Sequence, residues 1–392
     1  MRILIVSLLF VCLPVSSQAQ ERRPMTTDDG LNMVRVGDAL MSPDGRWVLF
    51  SRSELDWEEN ERKTTWWKVP SDAGEEPYRF IGEEGGSSFA FSPDGRWLSF
   101  RREVDDKNQL FLMRTDGGEA LQLSDHETSV GSYSWTDDAT RIVFVADHAR
   151  SDEEEKEREA GSDAIFVDEG PNGQRAGQWN DLWSIDIGSR NEVRLTEADH
   201  RIGSFAVSPD GTRIVFTARR ENRRNQGYLS EIHLLDVAGG EVRALTDNRA
   251  PEGRPSWAPD GRRIAYMARS DGEWELLQDK IWVMDVDSGD RRIASAAYEG
   301  SIRAYVWTPD GEAILFGGLQ RTDTNLYRLD VSSGAVEQVT SAVGSVSPSS
   351  FSRDRTRMAY IAQDWDTPPD VWSGSTDGGD GVRLTEANPW VE

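Results

Sequence analysis

One pattern of apolar and polar positions recurs along the chain. An apolar stretch leads into Ser/Thr/Ala-Pro-Asp-Gly, a basic or polar residue follows, and an apolar pair comes next. Pro favours a φ of about −65° at the second turn position, Asp accepts backbone N–H groups, and Gly tolerates positive φ. The flanks are rich in β-branched and aromatic residues, as in half-buried strands. Each copy therefore predicts a tight β-hairpin.

Seven copies of this hairpin pattern are present. Five keep Pro-Asp-Gly, and two are eroded. The aspartates of the seven turns are Asp44, Asp94, Asp138, Asp210, Asp260, Asp310 and Asp354. Their separations are 50, 44, 72, 50, 50 and 44 residues, so one unit carries an insertion and the others are close in size.

A second pattern follows each turn after a variable loop. It is a strand, a Gly-containing turn and a strand, as in LWSIDIGSRNEVRLT from Leu182 to Thr196. Four antiparallel strands per unit, repeated radially, are typical of a β-propeller. The sequence thus predicts an all-β, seven-bladed propeller, and a β-helix or sandwich fits less well. The predicted propeller spans 37–388, with blades at about 37–82, 83–126, 127–199, 200–248, 249–296, 297–341 and 342–388.

Each predicted blade is complete within its own segment. We therefore expect four-stranded antiparallel blades without a shared, interlocked blade, and a ring closed by face packing between blades one and seven. Long loops between second and third strands are expected at Ser51–Lys63, in blade three, at Arg219–Leu229 and at Arg269–Asp279. These loops share one rim, where binding functions are commonly placed.

The first residues have the features of an export signal. Arg2 precedes the apolar run Ile3–Leu13, and Ser17-Gln18-Ala19 offers small residues for cleavage. We expect a signal peptide over 1–19, a lead-in segment over 20–36, and a periplasmic or secreted protein. Cys12, the only cysteine, lies within the signal, so neither a disulfide nor a thiolate metal site is expected.

The chain is strongly acidic, with a formal net charge of −25. Such a surface repels nucleic acid and anionic lipid, so neither nucleic acid nor, after signal cleavage, a membrane is an expected partner. Solubility explains this acidity more simply than a cationic partner does.

A search for catalytic machinery finds none in the sequence. No G-x-S-x-G pentapeptide is present. The nearest match, Gly86–Ala90, lies in a predicted strand that leads into Phe91, and not at a strand-to-helix elbow. The histidines lack metal spacing and cannot be assigned as a base with an orienting acid; they are His126, His148, His200 and His233. Asp285, Asp287 and Asp290 resemble a calcium loop but occupy a predicted turn. We therefore predict no catalytic, cofactor-binding or metal-binding residues and no cofactor.

The tryptophans and the insertion have structural explanations. Trp47, Trp97, Trp135, Trp257 and Trp307 lie near first hairpins and Trp67, Trp183, Trp282 and Trp372 on third strands, which indicates packing between blades. The insertion 149–178 begins with a charge run typical of a solvated loop, and its apolar centre, Ala164–Val167, is suited to an extra strand or a partner contact.

The SPDG hairpins followed by L-W-x-x-D-x-x-x-G-x-x-x-x-L-T resemble two groups of exported propellers. One is the N-terminal propeller of the prolyl oligopeptidase family of serine peptidases, in its acylaminoacyl- and dipeptidyl-peptidase-like branches. The other is the periplasmic propeller of the Tol-Pal system. The first resemblance extends from Met25–Trp47 to the exit Arg383–Glu392, of which 389–392 would lead towards a hydrolase domain.

The resemblance to the peptidases implies a gating role. In that family the propeller covers a C-terminal α/β-hydrolase domain, which holds the whole Ser-Asp-His triad and is not present in this sequence. We expect this propeller to select peptide substrates for such a domain. The alternative is a free-standing, Tol-Pal-like scaffold that binds a protein on its long-loop rim. A paired-glutamate role known in some dipeptidyl peptidases is not transferred to Glu153–Glu155, because the surrounding residues do not match.

Overall fold

The computed structural model describes residues 23–82, 85–149, 179–197, 200–220, 228–248, 250–270 and 276–391, and the single positions 151, 153, 156 and 160. The predicted signal peptide and almost all of the insertion 149–178, including Glu154, Glu155 and Ala164–Val167, lie outside these residues. The chain divides into two units, Met1–Met33 and Val34–Glu392. In the described part of the chain, no helix is long and apolar enough to cross a membrane.

In the first unit, a single helical turn, α1, extends over Thr27–Asn32. The Thr26 side chain accepts the backbone N–H of Asp29, and the Asp29 carboxylate accepts the backbone N–H of Thr26. This reciprocal capping satisfies donors that a helix start otherwise leaves unpaired.

The second unit is built almost entirely of strands. The described strands fall into consecutive antiparallel groups of four, which we call blades one to seven. Blade one contains β1 (Arg35–Met41), β2 (Trp47–Asp56), β3 (Glu61–Pro70) and β4 (Tyr78–Arg79). Blade two contains β5 (Ser87–Phe91), β6 (Trp97–Val104), β7 (Lys107–Arg114) and β8 (Leu121–Gln122). Blade three contains β9 (Val130–Trp135), β10 (Arg141–Asp147), β11 (Asn180–Asp186) and β12 (Glu192–Arg194).

The remaining blades follow the same order. Blade four contains β13 (Arg201–Val207), β14 (Arg213–Arg219), β15 (Glu231–Asp236) and β16 (Val242–Ala244). Blade five contains β17 (Glu252–Trp257), β18 (Arg263–Ala268), β19 (Lys280–Asp285) and β20 (Arg291–Ile293). Blade six contains β21 (Ser301–Trp307), β22 (Ala313–Gln320), β23 (Asp323–Asp330) and β24 (Val336–Gln338). Blade seven contains β25 (Ser345–Phe351), β26 (Arg357–Gln363), β27 (Asp370–Ser375) and β28 (Val382–Arg383), and a 3-10 turn follows at Pro389–Val391.

The predicted all-β propeller of four-stranded antiparallel blades is confirmed. Each blade is a simple meander, and a single parallel pairing, Thr324 with Ser345, joins blades six and seven. Among the described residues no blade takes strands from both ends of the chain. Residues of blades one and seven, including Met41, Phe50, Ala359 and Val371, instead share one buried cluster.

The repeated Pro-Asp-Gly turns use their aspartates as the sequence analysis expects. In the first turn, the Asp44 carboxylate accepts the Ser42 hydroxyl at 2.6 Å and the Arg46 backbone N–H at 3.1 Å, while Gly45 has a φ of +71°. The eroded copies keep this geometry, with Ala139 and Arg355 in the left-handed region. These carboxylates are therefore structural acceptors.

Tryptophans lie between neighbouring blades, as predicted. The indole N–H of Trp135 donates to Ser99 of blade two at 2.8 Å, and that of Trp257 donates to the Ala206 carbonyl of blade four at 3.1 Å. The guanidinium of Arg213 also lies over the Trp257 ring, 5.0 Å from its centroid. Each indole thus adds a directional bond to the apolar packing of adjacent sheets.

The expected long loop at Ser51–Lys63 is wrong. β2 and β3 pair continuously out to Asp56 and Glu61, so the connection is a short turn at 57–60 on a long hairpin. The Asp56 carboxylate accepts the backbone N–H of Glu58 and binds the Lys63 ammonium at 2.7 Å. The ends of these strands contain no buried residue on either face, so they lack the apolar alternation that identifies a half-buried strand.

Candidate functional site

The direction of the strands gives the propeller two different rims. Turns between first and second strands and between third and fourth strands lie on one side, which we call the turn rim. Connections between second and third strands and between blades lie on the other side, which we call the loop rim. First strands contact one another across blades; for example, the Met41 backbone N–H donates to Ser350 Oγ at 3.0 Å. First strands therefore surround the axis of the propeller.

Every first strand is interrupted by a bulge near its middle. The register shifts in all seven pairings of first and second strands. A bulge turns a side chain out of the regular alternation, here towards the axis. The exposed residues at these bulges are Asp38, Ser88, Ser132, Gly203, Arg254, Arg303, Ala304 and Ser349.

These axial positions differ sharply in charge around the ring. Arg254 and Arg303 are adjacent, in blades five and six, while the others are Ser, Gly, Ala or the single acid Asp38. The Asp38 carboxylate accepts the Ser51 hydroxyl at 3.0 Å. Two neighbouring cations at the axis are notable in a chain with a formal net charge of −25.

A cleft of about 450 Å³ opens beside these two arginines on the loop rim. We call it the arginine cleft, and it is lined by Pro251, Glu252, Gly253, Arg254, Met267, Arg269, Asp279, Ile302 and Arg303. The Arg269 Nε donates to Asp279 at 3.1 Å. Arg303 is exposed and has no side-chain hydrogen bond or ion pair with any residue that the structure describes.

Arg254 is held by its backbone in an unusual conformation. Its φ is +52°, which a non-glycine residue adopts only where its surroundings impose it. Its N–H donates to Ser204 Oγ at 3.0 Å, and its carbonyl accepts the Tyr305 hydroxyl. One guanidinium nitrogen donates to the Arg303 carbonyl. The side chain is therefore positioned by contacts from blades four and six.

Glu252, which lines the cleft, is buried, and the nearby Glu231 is half-buried. Glu252 is 6% exposed and accepts hydrogen bonds from the Thr246 hydroxyl, the Asn248 amide and the Ile232 backbone N–H. Burial raises the pKa of Glu252 to about 7, and the nearby Glu231 raises it further, although the hydrogen bonds oppose the shift. Burial also raises the pKa of Glu231. The negative charge of Glu231 therefore adds to the effect of burial in destabilising the ionised form of Glu252.

The structure pairs two histidines with carboxylates that the sequence analysis did not assign. His148 Nε2 lies 2.5 Å from Asp181 Oδ2, and His126 Nδ1 lies 2.7 Å from Glu192. Asp181 also accepts hydrogen bonds from Arg194 and Thr196. Within the described part of the chain, His148 has no contact with a nucleophilic side chain, so this pair does not form a triad. His200 packs against His233 at 5.5 Å between ring centroids.

The remaining candidates have structural surroundings. Ser88 lies at the β5 bulge, where its hydroxyl accepts a hydrogen bond from Arg101 at 2.7 Å. Asp285 accepts the backbone N–H groups of Asp287 and Ser288, as expected of a turn. In the described ranges, no group of three or more His, Cys, Asp or Glu side chains could hold a metal ion.

The two rims differ in exposed apolar residues. The loop rim exposes Trp57, Tyr228, Leu276, Leu277, Val343 and Trp365, with Leu276 and Trp365 almost fully in water. All residues of the turn rim are described, and none of them is an exposed large apolar residue. The other such residues lie on the outer fourth strands, apart from Met25 and Leu31 near the start of the described chain and Trp390 in the final 3-10 turn. An apolar face opposite a polar one is typical of a protein-contact surface.

Comparisons with known proteins identify the same fold. The family model of the TolB beta propeller domain (PD40) matches residues 211–391. An uncharacterized peptidase, YuxL of Bacillus subtilis, is 27% identical over 209 residues, which are 50% of this chain and 31% of YuxL. The acylaminoacyl peptidase of Pyrococcus horikoshii matches 92% of this chain and 54% of its own, with 19% identity and a TM-score of 0.68.

A second solved structure is matched almost in full. The β-propeller domain of the Trilobed protease from Pyrococcus furiosus, described as having an open velcro topology, matches 91% of this chain and 97% of its own, with 12% identity and a TM-score of 0.63. The chain thus spans a third to about half of the two longer relatives. The resemblance to peptidase propeller domains is confirmed.

Proposed function

We propose that this β-propeller, whose fold is that of acylaminoacyl peptidase propeller domains, selects peptide substrates for a serine peptidase domain outside this sequence. The propeller would cover the catalytic domain and admit only peptides. The triad would belong wholly to that domain, because no nucleophile with its base is found in the described part of this chain. We also propose that the protein is exported, on the strength of its N-terminal sequence.

The extent of the structural match carries this proposal. The match covers 92% of this chain and 54% of the acylaminoacyl peptidase. What remains of that protein lies outside the match, and the YuxL match is also partial. A propeller that forms about half of a peptidase is most simply its non-catalytic half.

The loop rim is the face that we assign to the catalytic domain. It carries the exposed apolar residues, and the turn rim does not. The start of β1 and the end of β28 also lie on this side, because strand direction alternates through each blade. Burial of such residues against a second domain removes apolar surface from water and stabilises the contact.

A free-standing scaffold is the second candidate. The PD40 match favours it, since that family model describes a TolB propeller. Such a scaffold would use the same loop rim for a separate protein partner. The two candidates differ in whether a serine hydrolase activity accompanies this propeller.

Capture from the native cells tests the proposal. An antibody against the propeller should recover a polypeptide that reacts with a fluorophosphonate probe and hydrolyses acyl-aminoacyl amides. The purified propeller alone should show neither property. N-terminal sequencing of the captured protein tests export, with Gln20 as the expected first residue. Recovery of the propeller without any fluorophosphonate-reactive species would overturn the peptidase assignment and favour the scaffold.

Substitutions on the loop rim provide a matched control within this test. The triple variant Trp57→Ser, Leu276→Ser, Trp365→Ser should weaken association with the catalytic domain. The variant Leu121→Ser, Val193→Ser, Val382→Ser removes exposed apolar residues of the fourth strands and should leave association unchanged. Equal effects of the two variants would contradict the assignment of the rim.

A further inference from the structure

We propose that the arginine cleft binds a carboxylate group of a peptide through Arg254 and Arg303. The ligand chemistry is a carboxylate, either the C-terminal carboxylate or an acidic side chain. That the ligand is a peptide rests on the proposed function, whereas the carboxylate preference rests on the cleft itself.

The location of the arginines places them where a ligand would pass. Both occupy bulges of first strands and face the axis, and the cleft beside them opens on the loop rim. The other bulge positions carry uncharged residues or Asp38, and the Arg101 guanidinium beside the blade-two bulge is engaged by Ser88 Oγ and by the carbonyls of Val130 and Gly131. The cations at the bulge positions themselves are therefore Arg254 and Arg303. Among the bulge positions, only those of blades five and six would present a positive charge to a peptide that approached the axis from the loop rim.

The guanidinium groups retain free donors. An arginine side chain has five N–H donors in a planar fork that fits a carboxylate in a bidentate manner. Arg254 gives one nitrogen to the Arg303 carbonyl, and Arg303 donates to no described residue. Because Arg254 is fixed by Ser204 and Tyr305, little further ordering is needed when a ligand binds.

Two other arginines near the loop rim form ion pairs. Arg52 pairs with Glu54 at 2.8 Å, and Arg201 pairs with Asp147 at 2.5 Å. Within the cleft, Arg269 pairs with Asp279.

The acid next to the two free arginines does not compete for them. Glu252 is buried, and its carboxylate is occupied by Thr246, Asn248 and the Ile232 backbone N–H. The cleft volume of about 450 Å³ falls within the usual range for small-ligand sites and suits one or two peptide residues.

Calorimetric titration of the purified chain tests the inference. The probes are the acetylated tripeptide Gly-Ala-Phe as the free acid, its C-terminal amide, and the amide of acetylated Gly-Glu-Phe. The free acid should bind wild type at least about fivefold more tightly than its amide, and the difference should shrink as salt screens the charges. Arg303→Ala should abolish the difference, and Arg303→Lys should restore it only in part, because an ammonium group lacks the planar fork.

Arg46→Ala is the matched control, since Arg46 is an exposed arginine of the turn rim and its loss changes the net charge equally. This variant should bind like wild type. Tight, Arg303-dependent binding of the glutamyl amide would identify an acidic side chain as the source of the carboxylate.

Equal binding of acid and amide by wild type would refute the inference, as would equal effects of Arg303→Ala and Arg46→Ala. Circular dichroism of each variant checks that its fold is intact. The assay requires no catalytic domain, so its outcome is independent of the fluorophosphonate capture that tests the proposed function.

Discussion

At the scale of single residues, burial changes what a side chain can do. Glu252 and the exposed Glu241 have the same chemistry, yet only Glu252 is withdrawn from water beside a second carboxyl group, Glu231. The charged form of Glu252 is therefore destabilised in the folded protein, and its pKa rises to about 7. Arg254 is a comparable case, because packing holds its backbone in a conformation that its residue type does not favour.

Glu252→Gln should therefore alter how stability depends on pH. The pKa of Glu252 in the folded state exceeds its value in the unfolded state, so the folded state binds more protons between about pH 4.5 and 7. The stability of the wild type therefore falls as the pH rises across that interval. The variant does not titrate there. The unfolding free energy of Glu252→Gln relative to wild type should rise by roughly 2 kcal/mol between pH 5 and pH 8, as measured by urea denaturation. Glu241→Gln, at an exposed position, should show no such trend, and parallel curves for Glu252→Gln and wild type would contradict the assignment.

At the scale of elements, a fixed spacing ties third strands to fourth strands. A polar residue lies at one of the first three positions of the third strand, and a Ser or Thr lies 15 positions later in six blades. These pairs are Gln109 and Ser124, Asp181 and Thr196, Glu231 and Thr246, Lys280 and Ser295, Asn325 and Thr340, and Asp370 and Thr385. In blade three, the Thr196 hydroxyl accepts the Leu182 backbone N–H at 2.9 Å and donates to Asp181 at 2.9 Å.

Thr196→Val tests this tie. Valine keeps the shape of threonine but leaves the buried Leu182 N–H without its acceptor and removes a donor from Asp181, which is 1% exposed. A buried polar group that loses its partner costs about 1–3 kcal/mol, so we expect a loss of that size in the unfolding free energy, measured by denaturant titration. Thr64→Val, on an exposed position of β3, should change stability by less than about 0.5 kcal/mol. Similar losses for the two variants would count against the tie.

At the scale of the whole molecule, side-chain hydrogen bonds of Asn388 and Arg357 help to close the ring. Asn388 is buried; its Oδ1 accepts the Val34 backbone N–H at 2.9 Å, and its Nδ2 donates to the Val34 carbonyl at 2.8 Å. The Ser71 carbonyl of blade one also accepts an Arg357 N–H of blade seven at 3.1 Å. These bonds connect residues from opposite ends of the propeller, where a shared blade would otherwise do so.

Asn388→Ala should loosen this closure. Asn388→Ala removes two hydrogen bonds to the half-buried backbone of Val34, and at roughly 0.5–1.5 kcal/mol for each bond we expect about 1–3 kcal/mol less stability. Amide exchange should also become faster in β1 and β28 than in the middle blades. Asn388→Asp keeps an acceptor but not the donor, so its loss should be intermediate if the ionised group is tolerated. Asn191→Ala, at an exposed position, serves as the control. Unchanged amide exchange at the junction of blades one and seven in Asn388→Ala would show that apolar packing alone closes the ring.

The sequence by itself determined the repeated hairpins and hence the propeller. Turn chemistry and alternating strands are local properties, and each is written several times in this chain. The same local rules wrongly predicted a long loop at Ser51–Lys63, because the ends of β2 and β3 carry no apolar alternation. The spacing of 15 residues is also present in the sequence. Its structural role became visible only in the hydrogen bonds that the paired residues form between the third and fourth strands.

Only the tertiary structure decided which residues share a surface. Arg254 and Arg303 are 49 positions apart and belong to different blades, yet two bulges turn both towards the axis. His148 and Asp181 meet because β10 and β11 pair within blade three across the insertion. Val34 and Asn388 meet because closure of the ring brings together the two ends of the propeller. Local sequence fixes how each hairpin folds, whereas charge proximity and burial arise from packing between blades and so require the assembled ring.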